Sequence, residues 1–275
     1  MLLLAPAAQL PPSAPLAAPR VVTASLPQGD PLRGSVLLLG NFDGFHRGHQ
    51  SLLDEAVLQG GGRPVGLMSC EPHPRSFFAP DQAPFRLTTP RSKLAVAADC
   101  GVGFVFMPRF DGAFAGLSPE AFIKDVLVAR LAVSHVVTGP DFRFGSSRRG
   151  DIELLDAMAR KLGFGVTAVQ TVQQAGERTS SSRIRALLAA GDFKAARACL
   201  GHDWLVETIW HSKAGLQLHP MLCRPKPGIY RARQGRRGGS AAALNIAISA
   251  DGSIRSTSPG FRAEPGLLRL QARVG

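Results

Sequence analysis

Short apolar runs alternate with segments of helical period between residues 36 and 171, and this alternation restricts the fold more than any other feature. Strands are predicted over 36–39, 64–70, 103–107, 135–138 and 166–171, and helices over 48–58, 89–100, 119–130 and 152–162. Strands that alternate with helices at this spacing favour a parallel sheet covered on both faces. The sequence therefore predicts a doubly wound α/β domain whose ligands bind beyond the carboxyl ends of the strands.

A glycine-punctuated turn follows the first of these strands. It consists of Gly40, Asn41, Phe42, Asp43 and Gly44, and His46 and His49 come next, three residues apart. The glycines permit positive φ and close approach of the backbone to a phosphate. Both histidines can project from one side of the first helical turn, where free amides and the helix dipole favour an anion and disfavour imidazolium. The turn predicts a phosphate site with neutral histidines; the alternatives are a surface histidine pair or a metal site, for which no further ligands are obvious nearby.

A run of serines precedes another predicted helix. Ser180, Ser181 and Ser182 supply an N-cap and extra hydroxyl donors, and Arg185 can offer a cationic fork to a polyphosphate. Alone, such a run indicates only a helix cap. Together with the histidine turn, it predicts the second half of a triphosphate clamp.

Two further loops at strand ends carry candidate binding residues. Asp141 stands beside Phe142 and Phe144, a combination that could hold a metal or a ribose and offer a ring for stacking. The alternative for these rings is a turn whose phenylalanines fill the core. His73 and Pro74 lie in a stiff Glu-Pro-His-Pro segment that could equally be a plain exposed turn.

Composition excludes several classes of protein. The formal net charge is +12, but the basic C-terminal segment lacks interleaved aromatic residues, which argues against nucleic-acid binding. The four cysteines are widely spaced and suggest neither disulfides nor zinc. No apolar stretch is long enough to span a bilayer, and the Ala/Pro/Leu-rich leader over 1–19, predicted to be disordered, lacks a basic n-region. A cytoplasmic enzyme is expected.

Taken together, these motifs resemble those of the bacterial bifunctional riboflavin kinase/FMN adenylyltransferases, a family also called FAD synthetase. The turn over 40–49 is similar to the family's ATP-binding histidine motif. Further segments follow in the family's order and at similar spacing, at 71–74, 109–111, 141–145, 150–151 and 178–185. The first motif fits any nucleotidyltransferase of the histidine-turn superfamily, whereas the later ones select the flavin branch. The resemblance covers residues 20–203, which predicts an adenylyltransferase domain there.

The resemblance implies a reaction between two small substrates, ATP and FMN, with Mg²⁺ as cofactor. The FMN phosphate would attack the α-phosphorus of ATP, forming FAD and releasing pyrophosphate. As catalytic residues it implies His46, His49 and Arg185. For ATP it implies the turn residues 40–44, Asp141 and the serines 180–182, the serines holding the leaving pyrophosphate with Arg185. For the flavin it implies His73, Pro74, Phe142 and Phe144. No protein residue is implied as a metal ligand.

Residues 204–275 depart from the family. Its C-terminal six-stranded barrel phosphorylates riboflavin with a Pro-Thr-Ala-Asn motif and a later glutamate. The corresponding stretch over 208–218 has no such motif, although 225–230 resembles the start of a barrel strand. Only short alternating pieces follow, at 244–248 and 267–270, and Glu264 is the only carboxylic acid after Asp251. The sequence predicts a reduced β domain without kinase activity, so a folded chain lacking 206–275 should still make some FAD.

Three alternatives remain open. The first is a bifunctional enzyme that also phosphorylates riboflavin. The second is a non-catalytic flavin- or nucleotide-sensing protein with a basic interaction tail. The third is an adenylyltransferase that acts on another phosphorylated acceptor.

Overall fold

The computed structural model describes residues 18–170, 172–174, 176–236, 239–258 and 263–274. Residues 1–17 of the predicted leader lie outside these ranges. The strands of the first part are β1 (Arg20–Val22), β2 (Val36–Leu39), β3 (Val65–Met68), β4 (Phe104–Phe106), β5 (His135–Thr138) and β6 (Gly165–Ala168). The helices are α1 (Arg47–Gly60), α2 (Pro74–Phe78), α3 (Pro90–Asp99), α4 (Gly112–Ala115), α5 (Pro119–Ala121), α6 (Ile152–Leu162), α7 (Ser181–Ala190) and α8 (Phe193–Leu200). Short pieces complete it: a 3-10 turn (Ser146–Arg148) and a hairpin of β7 (Gln173–Gln174) with β8 (Glu177–Arg178).

Six strands form a parallel sheet in the order β1-β4-β3-β2-β5-β6. Separate apolar clusters pack on its two faces, which confirms the doubly wound α/β prediction. The central strand β2 is buried along its whole length, as its unbroken Val-Leu-Leu-Leu run requires. The strand order reverses beside β2, so its carboxyl end opens onto the crevice where such sheets bind ligands.

Element boundaries differ from the predictions in places. The helix predicted over 119–130 begins at Pro119 and continues as a π-helix (Phe122–Arg130). The strand predicted over 166–171 is β6, which ends at Ala168; Thr171 lies outside the described residues. Strand β1 has only three residues and an exposed first half, so it carries no usable apolar period.

The second part is an antiparallel β-barrel. Its strands are β9 (Trp204–His211), β10 (Gly215–Leu218), β11 (Gly228–Arg236), β12 (Gly239–Ile248), β13 (Ile254–Ser256) and β14 (Gly266–Arg273). They follow the order β10-β9-β14-β11-β12-β13, and a bridge between Gln217 and Ser253 joins the two edges. The β-barrel-like domain is confirmed. Its last strands are longer than the predicted pieces because backbone pairing extends them through Ala- and Arg-rich stretches that show no alternation.

Helices α7 and α8 share their core with this barrel. Ile184, Leu188 and Phe193 are buried in the same apolar cluster as Tyr230 and Leu268. The boundary predicted at 203/204 therefore passes through a continuous core, although the chain does change there from helix to antiparallel strand. Within the described ranges, no helix is both long and apolar enough to cross a membrane.

Candidate functional site

The two histidines of the turn lie at the N-terminus of α1. His46 is the N-cap residue but its side chain caps nothing, and the first turn of the helix carries no acidic residue. The imidazole rings of His46 and His49 are stacked, with centroids 3.7 Å apart and planes 18° from parallel. Phe42 packs on the ring of His49 at a centroid distance of 4.9 Å. The positive end of the helix dipole and two aligned imidazoles thus face one small space beyond β2.

Burial sets the charge state of these rings. It lowers the pKa of His46 to about 4, and the charges of His202 and Arg178 act in the same direction. Burial also lowers the pKa of His49 well below its ordinary value, with His46 and Lys93 contributing. The rings are therefore neutral near pH 7, and desolvation is the main cause. The Nδ1 atoms of both rings are buried without a hydrogen-bond partner, which leaves polar capacity for a ligand.

The N-terminus of α7 meets the same turn. Ser180 caps this helix, its Oγ accepting from the amide of Arg183 at 3.2 Å. Ser181 Oγ donates to the carbonyl of Asp43 at 2.8 Å. A Cβ added to Gly48 would lie 3.7 Å from the carbonyl oxygen of Thr179, so α1 and the entry to α7 are in close approach. Two helix N-termini with no acidic residue in their first turns converge here, as an anionic ligand requires.

The side chain of Asp43 faces inward rather than toward the crevice. Its carboxylate accepts from the amide of Leu87 at 2.8 Å and from that of Thr88 at 3.0 Å, and it lies 3.3 Å from Arg185 Nη1. Phe42 is likewise fully buried. Both side chains fix the shape of the turn, and the ATP binding predicted for Phe42 and Asp43 as part of this turn stays a prediction.

Arg185 lies beside the serines, where the prediction places it. Its Nη2 donates to Ser182 Oγ at 2.9 Å, and its guanidinium lies 5.8 Å from the ring centroid of Phe85. The side chain is one-fifth exposed. The ion pair with Asp43 orients this cation while leaving part of it open to the crevice.

Lys93 is a site residue that the sequence reasoning missed. It is buried on α3, and its Nζ donates to the carbonyl of Asn41 at 2.9 Å and to Ser69 Oγ at 2.6 Å. Burial lowers the pKa of this ammonium to about 8. Its spacing in the sequence could have revealed it. Lys93 precedes Val96 by three residues and Ala97 by four, so it lies on the buried face of the predicted helix, where a lysine requires a polar partner.

The predicted flavin residues differ in burial and in packing partners. His73 is buried, its Nδ1 accepts from the amide of Arg75 at 3.0 Å, and burial lowers its pKa to about 3. Pro74 begins α2 next to it. Phe144 is buried against Phe122 at a centroid distance of 5.3 Å, which favours the alternative that it fills the core. The half-buried ring of Phe142 stacks on Phe144 at 5.7 Å.

Exposed aromatic rings lie nearby that the sequence reasoning did not single out. Phe77 and Phe78 project from α2 at 38 % and 69 % exposure, and each contacts Phe110 edge to face, at 5.4 and 5.8 Å. Exposure of such an apolar cluster to water is unfavourable, so it is a candidate surface for an apolar ligand. Its place directly after His73 and Pro74 brings it to the same edge of the sheet as the histidine turn.

The described residues contain no resident metal centre formed by protein side chains. No group of three or more His, Cys, Asp or Glu side chains lies close enough together to hold an ion. Asp141, a candidate for nucleotide or metal, is exposed and forms an ion pair with Arg178 at 2.5 Å. A cation at this site would therefore depend on ligand oxygens for most of its coordination.

The buried histidines predict a pH-dependent stability. His46 and His73 have folded-state pKa values of about 4 and 3, below the ordinary value of 6.5 that the unfolded chain should show. The unfolded chain then binds more protons below pH 6.5, so each histidine should remove up to about 1.4 kcal/mol of unfolding free energy per pH unit as the pH falls toward 4. Urea unfolding at pH 7.5 and 5.0 measures this loss, and His46→Asn should reduce it; an equal loss in that variant would contradict the assignment.

The parallel sheet, the stacked histidines at a helix N-terminus and the facing serine helix define an α/β protein of nucleotidyltransferase type, joined to a six-stranded barrel. A family model described as FAD synthetase matches residues 29–183, more than half of the chain. The chain belongs to the FAD synthetase family.

Curated relatives and a solved structure agree with this placement. A bifunctional riboflavin kinase/FMN adenylyltransferase of Escherichia coli is 44% identical over 178 residues, covering 64% of this chain and 57% of the relative. A FAD synthetase of Listeria monocytogenes is 34% identical over 205 residues, covering 74% of this chain and 82% of the relative. A crystal structure titled as a macrolide-efflux protein from Streptococcus pneumoniae matches with a TM-score of 0.70 at 22% identity, over 88% of this chain and 86% of that one, and shows the shared fold. The match thus spans a little over half the length of the E. coli relative.

Proposed function

We propose that this protein is an FMN adenylyltransferase that transfers AMP from ATP to FMN. The observation that carries the proposal is the convergence of two helix N-termini, neither with an acidic residue in its first turn, on the stacked pair His46 and His49, in a chain of the FAD synthetase family. A phosphate oxygen of FMN attacks the α-phosphorus of ATP. The bond from that phosphorus to the bridging oxygen of the β-phosphate breaks, so FAD forms and pyrophosphate leaves.

The residues act by binding and by stabilising charge. Neutral His46 and His49 donate N–H groups to the oxygens of the transferring phosphoryl group, whose negative charge grows as the new bond forms. The α7 amides and Arg185 hold the β- and γ-phosphates that leave as pyrophosphate. We assign none of the described side chains as a covalent nucleophile, so the rate gain comes from alignment of the two substrates and from preorganised donors.

Lys93 and Asp43 hold the histidine turn in place. The Lys93 ammonium holds the carbonyl of Asn41, and the Asp43 carboxylate ties the turn to residues 87–88 and to Arg185. We regard both as positioning residues. Mg²⁺ would arrive bound to the phosphate oxygens of ATP and neutralise part of their charge.

The exposed cluster of Phe77, Phe78 and Phe110 suits the flat, apolar ring system of the acceptor. His73 and Pro74 directly precede Phe77 and Phe78 at the start of α2, and His73 contacts Phe85 edge to face at 5.1 Å. Phe142 remains a candidate at the crevice. Phe144 contributes by supporting Phe142 from the core.

Riboflavin phosphorylation is proposed to be absent. Residues 204–275 contain three carboxylates, and none is placed inside the barrel. Glu207 accepts from Thr89 Oγ1 at 2.6 Å, Asp251 accepts from the amide of Ser253 at 3.0 Å in a turn, and Glu264 is exposed before β14. A kinase that activates a hydroxyl needs a carboxylate within reach of it.

Chromatography of the products tests both statements. Flavin-free protein with ATP and Mg²⁺ should convert FMN to FAD and should make neither FMN nor FAD from riboflavin. Products from riboflavin would overturn the statement on the kinase. No FAD from FMN would overturn the proposed function and favour another acceptor or a sensing role.

A further inference from the structure

A basic cleft lies between the adenylyltransferase-like part and the barrel, next to the first turn of α1. Its volume is about 670 Å³, a size that accommodates a nucleotide. Four basic side chains line it from three separate elements. They are Arg47 of α1, Lys194 and Arg197 of α8, and Arg273 of β14.

Glycines make room for the basic side chains around this cleft. A Cβ added to Gly201 would come within 2.5 Å of Arg47 Nε, and one added to Gly228 would come within 2.9 Å of Arg273 Nε. Any larger residue at 201 or 228 would force the guanidinium to move. The guanidinium groups of Arg47 and Arg273 thus lie close to the backbone at these glycines, while Arg47 and Lys194 remain exposed to solvent.

Most of this positive charge has no acidic partner. Among the described residues, no carboxylate oxygen lies within 4 Å of Arg47, Lys194 or Arg273. Asp54, further along α1, interacts electrostatically with Arg47 from beyond ion-pair distance. Two other carboxylates close by have partners of their own. Asp192 caps α8 by accepting from the amide of Ala195, and Asp203 pairs with Arg197 at 2.8 Å. Three cations held near one another repel unless an anion joins them.

We propose that this cleft binds a small ligand carrying a diphosphate group, at a site separate from the histidine turn. Arg47 from α1 and Lys194 from α8 contact the phosphate oxygens, and Arg273 supplies a third cation from the barrel. Guanidinium and ammonium groups favour multiply charged phosphates through charge-assisted hydrogen bonds. None of Asp43, His46, His49, Ser181 and Arg185 lines the cleft, so the two sites are distinct.

One side chain connects the two sites. His202 lines the cleft, and its Nε2 lies 3.1 Å from the carbonyl oxygen of Gly44 in the histidine turn. Its Nδ1 lies 2.8 Å from the carbonyl oxygen of Asp203. An anion in the cleft therefore acts on a ring that touches the turn, which provides a route by which the ligand changes adenylyl transfer.

Calorimetric titration of the full chain with inorganic pyrophosphate tests the proposal. The wild type should show two binding events, because the histidine turn also binds pyrophosphate if the proposed function holds. Arg47→Gln combined with Lys194→Gln should weaken one event at least tenfold and leave the other unchanged, since two charge-assisted contacts are lost. Lys124→Gln combined with Lys161→Gln removes two exposed charges elsewhere and should change neither event.

His49→Asn separates the two sites. This variant should still bind pyrophosphate at the cleft with the wild-type affinity, even if the protein transfers no AMP at all. The proposed cleft site and the proposed function are therefore tested independently. Tighter binding of ADP than of pyrophosphate by this variant would assign a nucleotide, and equal binding would assign the diphosphate group alone. The proposed cleft site would be overturned by either of two results. One is unchanged pyrophosphate binding in the Arg47/Lys194 variant, and the other is loss of both binding events in His49→Asn.

Discussion

Replacement of His49 by Ala should lower the turnover number for FAD formation by about 10²-fold or more. The ring is stacked on His46 at the helix N-terminus and is neutral because it is buried, so it can donate an N–H to the transferring phosphoryl group. That donation is strongest in the transition state, so the loss should appear in kcat more than in the KM for ATP. Steady-state assay of FAD by chromatography measures both constants.

Two further variants make this result specific. His49→Gln restores an N–H donor of similar reach and should recover part of the rate. His211→Ala removes an exposed imidazole in a barrel turn and should leave the rate unchanged. Wild-type kcat in His49→Ala would contradict the role of the ring, and an equal loss in His211→Ala would show that the assay reports general damage.

Deletion of residues 206–275 should abolish cooperative folding as well as FAD formation. The deletion removes the barrel partners of Leu87, Ile184 and Leu188, which are fully buried in the shared core. Each large aliphatic side chain gains about 1.5–3 kcal/mol on burial. Exposing all three therefore costs an amount comparable with the ~5–15 kcal/mol that stabilises a whole domain.

The same deletion would disturb the site directly. Residues 86–89 lie between the barrel and the histidine turn: the amide of Cys223 donates to the carbonyl of Arg86, and the amides of Leu87 and Thr88 donate to Asp43. Circular dichroism, thermal melting and size-exclusion chromatography of the shortened chain measure its folding. A monomeric shortened chain that melts cooperatively and still makes FAD would contradict this expectation and support an auxiliary barrel, as the sequence predicts.

Trp204→Phe provides a milder test in a chain that keeps its fold. The indole Nε1 donates to the carbonyl of Leu87 at 2.8 Å, whereas a phenyl ring keeps the apolar contact and loses only this donor. We expect a folded protein with a reduced kcat, because Leu87 also holds Asp43. Wild-type kcat in a folded Trp204→Phe protein would show that the barrel does not position the turn.

Local sequence patterns were sufficient for the parallel sheet and for the main features of the site. The Val-Leu-Leu-Leu run predicted β2, and the glycines and the two histidines that follow it predicted the turn and the start of α1. These predictions were possible because periodicity and turn chemistry act over a few residues. The serine run over 180–182 was likewise predicted to supply an N-cap, and in the structure Ser180 caps α7. In the barrel the alternation covered only parts of β12 and β14, since long-range pairing sets strand length there.

Side-chain direction could not be derived in this way. Asp43 stands in the predicted ATP turn, and only the structure shows that its carboxylate faces inward to Leu87 and Thr88, 44 and 45 residues later in the chain. Lys93 was missed because its partners come from two other strand ends. Such contacts depend on how distant segments pack, which no local period encodes.

The sequence by itself determined the chemistry available at this site: two imidazoles, a serine-capped helix and an arginine beside a strand end. The tertiary structure decided the charge state and the orientation of these groups, because burial neutralises the histidines and the Asp43 ion pair orients Arg185. It also decided that α7 and α8 pack with the barrel, and that distant cations line one cleft. These outcomes require the free energy of burial and of long-range contacts, which exist only once the whole chain has folded.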